Sequence, residues 1–372
     1  MDTQHTHISL FSAGDDFLLC KGIYQRVKGS LSQGDLVTKI NQALANAAND
    51  GLDNPIVIGA IPFHSEQQCN LIIPLQYQKL NQQQVLELFN KNKKDYQVVS
   101  QQEVPSQTEF CHAVEQALAK FARGSLEKVV LSRTLQVELD THIEPQQIVS
   151  QLIEQNPKVY HFLIPTENHG YLLGASPELL LEKQADSVIS HPLAGTIKRS
   201  QDPIECEQNY RYLQNSEKDL HEHSYVANQI GKALGPYCNT LAVPEVPSIV
   251  ATANLWHLAS RIEGQLESEQ IHIIDLLNAV HPTPAICGTP TALAHQTINE
   301  LEPFDRGLFT GSVGWCDLQG NGQWAVTIRC AELSGNKLCL YAGAGIVPAS
   351  TPLAEYQETG AKLQTFLNAL NP

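Results

Sequence analysis

Alternating apolar and polar positions predict β-strands in several parts of the chain. The segment "KVVLSRTLQVEL" (128–139) alternates with a period of two, which is typical of a strand with one buried face. The segments "YHFLIP" (160–165) and "GYLLGASPELLLEK" (170–183) predict a hairpin around "TENH". A second hairpin, around "SGN", is predicted from "QWAVTIRCAEL" (323–333) and "KLCLYAGAGIV" (337–347). These hairpins indicate antiparallel sheets.

Other stretches predict helices and connections. We expect a long helix from about 202 to 233, ending at "GP", and a terminal helix over about 352–370. The segment "LNQQQVLELFNKNKK" (80–94) predicts a surface helix, and the polar residues 95–110 predict a loop. "VISHPLAGTIKR" (188–199) predicts another extended stretch. Because hairpins dominate over βαβ units, the predicted class is α+β with large antiparallel sheets.

Composition and charge narrow the function classes. The chain has 372 residues, 42% of them hydrophobic and only 17% charged, which favours a folded protein with a substantial core over a disordered one. The net charge of −15 argues against nucleic acid and anionic membranes as partners. An anionic substrate would therefore need a locally positive site, made by lysine, arginine, a metal ion or backbone amides.

Targeting signals and cysteine usage indicate a cytoplasmic protein. The sequence has no apolar run of about 18 residues and no visible signal peptide, so we expect no membrane span. Its nine cysteines are scattered and form no CxxC pair. This pattern is typical of reduced, mostly buried thiols rather than of disulfides or zinc sites.

Two predicted helices each carry a pair of acids three positions apart. Asp219 and Glu222 share one helix face, and Glu355 and Glu358 share another, with Lys362 four residues further in the same stripe. A single acidic pair of this kind is commonly a solvated helix face. Two such pairs together would form a cage of hard oxygen ligands that suits Mg²⁺. The sequence alone leaves open whether the two helices meet.

Candidate binding and acid groups lie on predicted strands. Arg329 is expected on the strand face with small neighbours, opposite Ile328, where it has room to bind a carboxylate; a buried ion pair is the alternative. Gly343 and Gly345 would let backbone amides approach an anion. Glu178 is surrounded by apolar residues, which favours the protonated form that a general acid needs. A solvent-facing strand end is the other interpretation of Glu178.

Ten ordered motifs carry a family resemblance: "KVVLSR", "GASPELLL", "PLAGT", "SEKDLHEH", "LWHLAS", "HPTPAICGTP", "ELEPFDRGLFTGSVGWCD", "VTIRCAEL", "YAGAGIVPAS" and "EYQETGAKL". Together they closely resemble the chorismate-utilising enzymes, and among them the isochorismate synthases of catechol siderophore biosynthesis. The resemblance is dense over 120–370 and looser over 59–74, where His64 occupies a position at which an acid is expected.

This resemblance implies a fold and a domain organisation. The family fold is a single α+β domain with two large, mainly antiparallel sheets packed together and helices outside. We therefore expect one chorismate-binding catalytic domain over 1–372, with a more variable N-terminal part at 1–105 and a motif-dense catalytic part at 106–372.

The resemblance also implies a reaction, the conversion of chorismate to isochorismate. Water adds at C2, the double bonds shift, and the C4 hydroxyl leaves. Lys128 would be the general base that activates water, and Glu178 the general acid that protonates the departing hydroxyl. Both roles require a neutral side chain, and burial favours the neutral form of each.

A magnesium ion and a set of substrate contacts follow from the same resemblance. Glu222 and Glu358 resemble the direct Mg²⁺ ligands, and Asp219 and Glu355 the acids that reach the ion directly or through water. The two histidines of "SEKDLHEH" would then be structural. The residues expected to contact the substrate are Gly195, His257, Ala285, Phe309, Ile328, Arg329, Gly343, Gly345 and Lys362.

Differences within the family favour release of isochorismate. Aminodeoxychorismate synthases tend to carry a nucleophilic lysine where this chain has Ala194, and anthranilate synthases tend to lack a lysine corresponding to Lys128. Salicylate synthases share that lysine and eliminate pyruvate, but they usually have threonine, tyrosine and leucine where this chain has Ala285, Phe309 and Ile328. Menaquinone-pathway isochorismate synthases differ more in the "SEKDLHEH" region.

The expected partner is the small molecule chorismate. We expect no nucleic acid, no membrane and no glutamine amidotransferase subunit, and we expect a cytoplasmic monomer. A non-catalytic binding protein on the same scaffold is the alternative class, and it predicts ligand binding without turnover. The expected catalytic and metal positions all carry suitable residue types, which favours an enzyme.

Overall fold

The computed structural model describes residues 7–90, 95–124, 126–252 and 254–370. Strands β1–β22 and helices α1–α9 are numbered along the described chain. The helices are α1 (Leu36–Asn49), α2 (Gln82–Phe89), α3 (Gln107–Phe121), α4 (Pro145–Gln155), α5 (Pro203–Asn215), α6 (Glu217–Leu234), α7 (Ile273–Val280), α8 (Thr291–Leu301) and α9 (Pro352–Leu370).

The strands form two large antiparallel sheets. The ten-stranded sheet contains β1 (Ile8–Ala13), β2 (Asp16–Lys21), β6 (Gln76–Leu80), β7 (Val98–Val104), β8 (Lys128–Leu139), β9 (Tyr160–Pro165), β10 (Tyr171–Ser176), β18 (Gly288–Thr289), β21 (Cys330–Ser334) and β22 (Lys337–Ile346). The nine-stranded sheet contains β3 (Gln25–Val27), β4 (Ile56–Ile61), β5 (Asn70–Ile73), β11 (Leu179–Gln184), β12 (Ser187–His191), β14 (Cys238–Ala242), β17 (Ile262–Leu266), β19 (Ser312–Asp317) and β20 (Gly322–Val326).

The strand orders show many connections between distant parts of the chain. The larger sheet runs β18-β8-β22-β21-β10-β9-β1-β2-β6, with β7 also paired to β8. The other large sheet runs β14-β17-β12-β11-β20-β19-β4-β5-β3. A small third sheet, which the sequence did not predict, has the order β13-β16-β15 and contains β13 (Leu193–Lys198), β15 (Ser248–Ala251) and β16 (Leu255–Ala259).

The two large sheets pack face to face, and helices cover their outer faces. Phe11 and Phe162 of the ten-stranded sheet are buried together with Ile58 and Val313 of the nine-stranded sheet. Helices α2, α4 and α9 pack on the outer face of the first sheet, and α1, α6 and α7 on that of the second. The predicted α+β class, with two packed antiparallel sheets and helices outside, is confirmed.

Several predicted strands divide where the chain crosses between sheets. The hairpins β9–β10 and β21–β22 and the strand over 128–139 are confirmed. However, the segment 170–183 leaves the ten-stranded sheet after β10 and continues as β11 in the other sheet. The segment 323–333 likewise divides into β20 and β21, and 188–199 into β12 and β13. Periodicity does not reveal such a crossing, because both halves have strand-like patterns.

Two other predictions were wrong in part. The long helix over 202–233 is two helices, α5 and α6, separated by Ser216 in an extended conformation (φ −73°, ψ 105°), whose side chain caps α6 by accepting from the Asp219 N–H. The predicted loop over 95–110 contains β7, which pairs with β8, and the start of α3. The surface helix over 80–94 is confirmed as α2, although 91–94 lie outside the described residues.

The structure agrees with two expectations drawn from composition. All nine cysteines are free thiols, and five of them are buried. Within the described ranges, no helix has both the length and the apolar character that are needed to cross a membrane. The terminal helix over 352–370 is also confirmed, as α9.

The break between α5 and α6 generates a stability prediction. Ser216→Ala removes the side-chain acceptor for the Asp219 N–H, so we expect the free energy of unfolding to decrease by about 1 kcal/mol. Ser224→Ala is the matched control, because Ser224 lies within α6 and donates to the His221 carbonyl, and its effect should stay within about 0.5 kcal/mol. Urea unfolding of both variants measures the difference, and equal stabilities would contradict the capping role.

Candidate functional site

A cavity lies where the two large sheets, the small sheet and helices α6 and α9 meet. The space within it is about 710 Å³ when the part that is open to solvent is counted. Twelve of the fifteen residues predicted for the site line it: Glu178, Gly195, Glu222, His257, Ala285, Phe309, Ile328, Arg329, Gly343, Gly345, Glu358 and Lys362. The remaining three lie next to this lining: Lys128 pairs with Glu222, Asp219 is close to Gly195, and the charge of Glu358 acts on Glu355.

Two of the sheet crossings bring Glu178 and Arg329 to the cavity. Glu178 lies between β10 and β11, and its carbonyl accepts from the Val326 N–H at 3.0 Å. Arg329 lies between β20 and β21 with a left-handed φ of 51°, and its carbonyl accepts from the Ala175 N–H at 3.1 Å. The predicted placement of Arg329 and Ile328 on opposite faces of one strand is therefore wrong. Both residues line the cavity because the strand is interrupted there.

Glu178 is a buried carboxyl that is held close to its protonation midpoint at neutral pH. Burial raises its pKa to about 7, although the Leu193 N–H and the charges of Lys128 and Lys362 act in the opposite direction. The Leu193 N–H donates to Glu178 Oε1 at 3.4 Å. The side chain is almost completely buried, so the solvent-facing interpretation is wrong. Such a carboxyl can donate a proton at neutral pH.

Lys128 is fully buried and forms an ion pair with Glu222. Its Nζ lies 2.8 Å from Glu222 Oε1, which joins the first residue of β8 to helix α6. Burial alone would raise the pKa of Glu222, but the charges of Lys128, Lys362 and Lys218, with the hydrogen bond from Lys128, lower it below its usual value. Glu222 is therefore ionised.

Glycine leaves room where the backbone approaches this ion pair. A Cβ on Gly345 would lie 2.2 Å from Glu222 Oε1 and 3.1 Å from Lys128 Cε. Gly195 has a φ of +82°, and a Cβ there would lie 3.0 Å from Asp219 Cβ. The two glycines leave space for charged side chains of the site. The expected contact of Gly345 and Gly195 with the substrate stays a prediction.

The two acidic pairs belong to one electrostatic environment. Helices α6 and α9 are linked by Lys218 Nζ, which lies 3.2 Å from Glu355 Oε1. Burial raises the pKa of Asp219, and the charges of Glu222 on its own helix and Glu358 on α9 raise it further, against the Ser216 hydrogen bond and the Lys218 charge. Burial and the charge of Glu358 likewise raise the pKa of Glu355. The two helices, whose meeting the sequence left open, are thus close to each other.

These acids fit a hard divalent cation but do not form a finished cage. In the described part of the chain, no three histidine, cysteine, aspartate or glutamate side chains converge as ligands of one ion. Glu222 turns to Lys128, and Glu358 Oε1 lies 2.7 Å from Lys362 Nζ. Glu355 Oε2, in contrast, is buried without a hydrogen-bond partner. An unpartnered buried oxygen among four carboxylates fits the oxygen ligands that Mg²⁺ prefers.

Two cations and a neutral imidazole complete the polar lining. Burial lowers the pKa of Arg329 to about 10, against the charge of Glu358, so the guanidinium remains charged at neutral pH. It donates to Thr365 Oγ1 at 3.2 Å. The partner in this hydrogen bond is a hydroxyl and not a carboxylate, unlike in the buried ion pair that was the predicted alternative.

Lys362 donates to the Gly343 carbonyl at 2.8 Å. Burial, together with the charges of Arg329 and Lys362, lowers the pKa of His257 well below its usual value.

Apolar residues form the rest of the wall. Ala285, Phe309 and Ile328 all line the cavity, and Phe309 stacks on Tyr341 with ring centroids 4.9 Å apart. The sequence analysis assigned no role to Tyr341, nor to Thr196, whose Oγ1 lies 2.8 Å from His257 Nδ1. Tyr341 is two positions before the "GAG" of its motif, and Thr196 ends "PLAGT", so the motifs themselves contained the signal.

The histidines of "SEKDLHEH" are structural, as predicted. His223 is buried, with Nδ1 3.2 Å from the Ala194 carbonyl and Nε2 2.8 Å from Ser260 Oγ. Burial lowers its pKa to about 4. His221 Nε2 lies 3.0 Å from the Tyr225 hydroxyl on the outer side of the helix.

Comparisons with known proteins agree with this geometry. A family model described as "Chorismate binding enzyme" matches residues 55–371. The isochorismate synthase DhbC of Bacillus subtilis is 42% identical over 365 residues, which cover 95% of this chain and 91% of that protein. The isochorismate synthase EntC of Escherichia coli is 43% identical over 344 residues, which cover 92% and 88%.

A solved structure gives the same result. The crystal structure of DhbC from Bacillus anthracis superimposes with a TM-score of 0.91 at 39% identity, covering 100% of this chain and 97% of that one. The chain belongs to the chorismate-binding enzyme family. Its relatives DhbC and EntC are isochorismate synthases.

The raised pKa of Glu178 generates a prediction about stability and pH. The folded-state pKa of about 7 is above the unfolded value near 4.5, so the stabilisation from this group is complete below the unfolded pKa and is lost as pH rises through about 7. Glu178→Gln lacks this titration. Its stability relative to the parent should therefore increase by on the order of 3 kcal/mol between about pH 5 and about pH 8.

Urea unfolding of the parent and of Glu178→Gln at the two pH values measures this change, because all other titrations are common to both proteins. The same stability difference at both pH values would contradict a raised pKa for Glu178.

Proposed function

We propose that the chain is an isochorismate synthase, an isomerase that converts chorismate to isochorismate for 2,3-dihydroxybenzoate and catechol siderophore synthesis. The observation that carries the proposal is a buried carboxyl, Glu178, that lines the cavity of a chorismate-binding enzyme with its pKa raised to about 7, together with a buried lysine, Lys128, next to that lining. The names of DhbC and EntC support the same activity.

Glu178 acts as the general acid. The C4 hydroxyl is a poor leaving group, and it departs as water once it receives a proton. The pKa of about 7 lets Glu178 carry that proton at neutral pH and release it to the departing oxygen.

Lys128 acts as the general base. It takes a proton from the water that adds at C2, the double bonds shift, and the C4 oxygen leaves with the proton from Glu178. Lys128 then holds one additional proton and Glu178 lacks one, so a proton returns from the first to the second before the next turnover. The base must start neutral, and its partner Glu222 must then have its charge compensated by another cation.

Mg²⁺ is the cation that we propose for this role. Glu222 and Glu358 would bind it directly, and Asp219 and Glu355 directly or through water, in keeping with the unpartnered Glu355 Oε2. When bound, the ion would offset the carboxylates and bind the ring carboxylate of the substrate.

Cationic and small groups hold the substrate. Arg329 and Lys362 line the cavity and compensate the two carboxylates of chorismate. The amides of Gly343 and Gly345 are proposed to contact carboxylate oxygens. Neutral His257 is proposed as a further contact, and so is Gly195.

Three apolar positions favour isochorismate as the released product. A salicylate synthase continues by eliminating pyruvate, and it usually has two additional hydroxyls at the positions of Ala285 and Phe309. Here those positions and Ile328 give the cavity an apolar wall with no hydroxyl at any of the three. A menaquinone-pathway isochorismate synthase is the other candidate within the family, and it would make the same product.

We also propose that 1–372 form one catalytic domain. The first 105 residues contribute β1, β2, β6 and β7 to the larger sheet and β3–β5 to the other, so they are integral to both. Three expectations stay predictions: that the protein is a monomer, that it has no amidotransferase subunit, and that it is located in the cytoplasm.

Product analysis tests the proposed activity. We expect the purified protein to convert chorismate to isochorismate in the presence of Mg²⁺, to release no salicylate, and to lose activity when the metal is chelated. Chromatography with mass detection separates the products. Salicylate with pyruvate would contradict the role given to Ala285, Phe309 and Ile328, and binding without conversion would support a non-catalytic protein.

Substitutions test the two proton-transfer residues. Lys128→Met and Glu178→Gln should each lower kcat by about 10²- to 10⁴-fold, because each removes a group that transfers a proton in the reaction. Lys183→Met is the control, since Lys183 is also buried but donates to the Glu269 carbonyl and Asn321 Oδ1, away from the cavity lining.

For variants that circular dichroism shows to be folded, we expect the control to keep kcat within about threefold of the parent. Comparable losses in all three variants would contradict a specific role for Lys128 and Glu178.

A further inference from the structure

Glu302 and Arg306 form a buried ion pair behind the cavity. They follow helix α8 and are four residues apart, and both side chains are almost completely buried. Arg306 Nη2 lies 2.6 Å from Glu302 Oε1, and Arg306 Nε lies 2.8 Å from Oε2, so the two groups meet in a bidentate arrangement. Neither residue lines the cavity.

The guanidinium holds three separate segments of the cavity wall. Arg306 Nη2 donates to the Val130 carbonyl on β8 at 2.8 Å, and Nη1 donates to the Ile286 carbonyl at 2.8 Å. Nη1 also donates to Thr310 Oγ1 at 3.3 Å. Val130, Ile286 and Thr310 all line the cavity, although they come from distant parts of the sequence.

Two of these segments carry residues to which the proposed function gives a role. Ile286 follows Ala285, and Thr310 follows Phe309. The positions of Ala285 and Phe309 in the cavity wall therefore depend on where the Arg306 guanidinium lies.

Thr310 is held in a conformation that it does not readily adopt. Its φ is 59°, which is rare for a β-branched residue and indicates that its surroundings impose the conformation. The Thr310 N–H donates to the Thr327 carbonyl at 2.8 Å, and Arg306 binds its hydroxyl oxygen. Loss of the contact from Arg306 would let this wall relax.

The carboxylate of Glu302 fixes the guanidinium from the other side. In addition to Arg306, Glu302 Oε1 accepts from the Ser132 N–H of β8 at 2.7 Å. The guanidinium also lies over the Phe63 ring, 4.5 Å from its centroid. These contacts together fix the orientation of the Arg306 guanidinium. The guanidinium in turn fixes the positions of the wall residues to which it donates.

We propose that Glu302 and Arg306 are a positioning pair that sets the shape of the substrate cavity through Val130, Ile286 and Thr310. This inference rests on the proposed function, because chorismate is taken as the molecule that the wall contacts. A pair with only a structural role would affect the fraction of folded protein, and hence apparent kcat. It would not affect KM, which does not depend on the amount of active enzyme.

Arg306→Lys is the first test. An ammonium keeps the positive charge beside Glu302, but it lacks the planar fork and cannot bind Glu302, Val130 and Ile286 in the same geometry. We expect KM for chorismate to rise about fivefold or more and kcat/KM to fall about a hundredfold, because small displacements at a reacting site have large effects. The assay uses the full chain with Mg²⁺ below the melting temperature of the variant.

Glu302→Gln provides a second test in case Arg306→Lys fails to fold. The side chain keeps its shape, but its amide N–H₂ replaces one acceptor and must face either the Ser132 N–H or the guanidinium, which are both donors. We expect a change of KM in the same direction, of about threefold or more.

Arg26→Lys is the matched control. Arg26 also joins two segments, because its guanidinium donates to Asn70 Oδ1 at 3.1 Å and to the Thr166 carbonyl at 3.5 Å, but none of these residues lines the cavity. Its KM should stay within about twofold of the parent.

The outcomes separate the two proposals. If the parent converts chorismate but the folded variants of Glu302 and Arg306 keep the parent KM, the positioning role is overturned and the proposed function stands. If the parent does not convert chorismate, the proposed function fails. The pair is then tested by calorimetric Kd values for chorismate, where an unchanged Kd in Arg306→Lys overturns the positioning role and a Kd raised about fivefold supports it.

Discussion

A lysine side chain that is shielded from water needs a polar partner, and the arrangement of the site depends on the partner that Lys128 has. Its partner Glu222 comes from a different element, so the ion pair joins strand β8 to helix α6. Removing one member of such a pair leaves an uncompensated buried charge, which costs about 3–5 kcal/mol. On the neighbouring strand, Gly345 leaves room for the Glu222 carboxylate, which a side chain there would displace.

The same low-dielectric surroundings give each ionisable group of the cavity a different state. Burial keeps the pKa of Glu178 at about 7, and burial with nearby cations keeps His257 neutral. Burial also lowers the pKa of Arg329, but only to about 10, so it remains a cation. The cavity thus combines a proton donor with fixed positive charge in a chain whose net charge is −15, and this combination suits a substrate with carboxylates.

The sequence was sufficient for the class of fold and for most residues of the site, because the motifs of the family contain them. It could not show the places where the chain crosses between sheets, since residues 323–333 have a continuous strand pattern although the strand is broken over 327–329, where Arg329 is left-handed. It also did not show the break at Ser216, where a capping side chain replaces helical continuity. The role of Arg306 depends on contacts with carbonyl groups far away in sequence, which no local pattern encodes.

The central claim is that the buried pair of Lys128 and Glu178 adds water to chorismate and expels the C4 hydroxyl. The most direct measurement is the reaction in H₂¹⁸O with Mg²⁺, followed at early times by mass spectrometry of isochorismate and its fragments. The account predicts ¹⁸O in the C2 hydroxyl of the first product molecules. Isochorismate formed without ¹⁸O would mean that the substrate hydroxyl migrates, and it would contradict the proposed roles of Lys128 and Glu178.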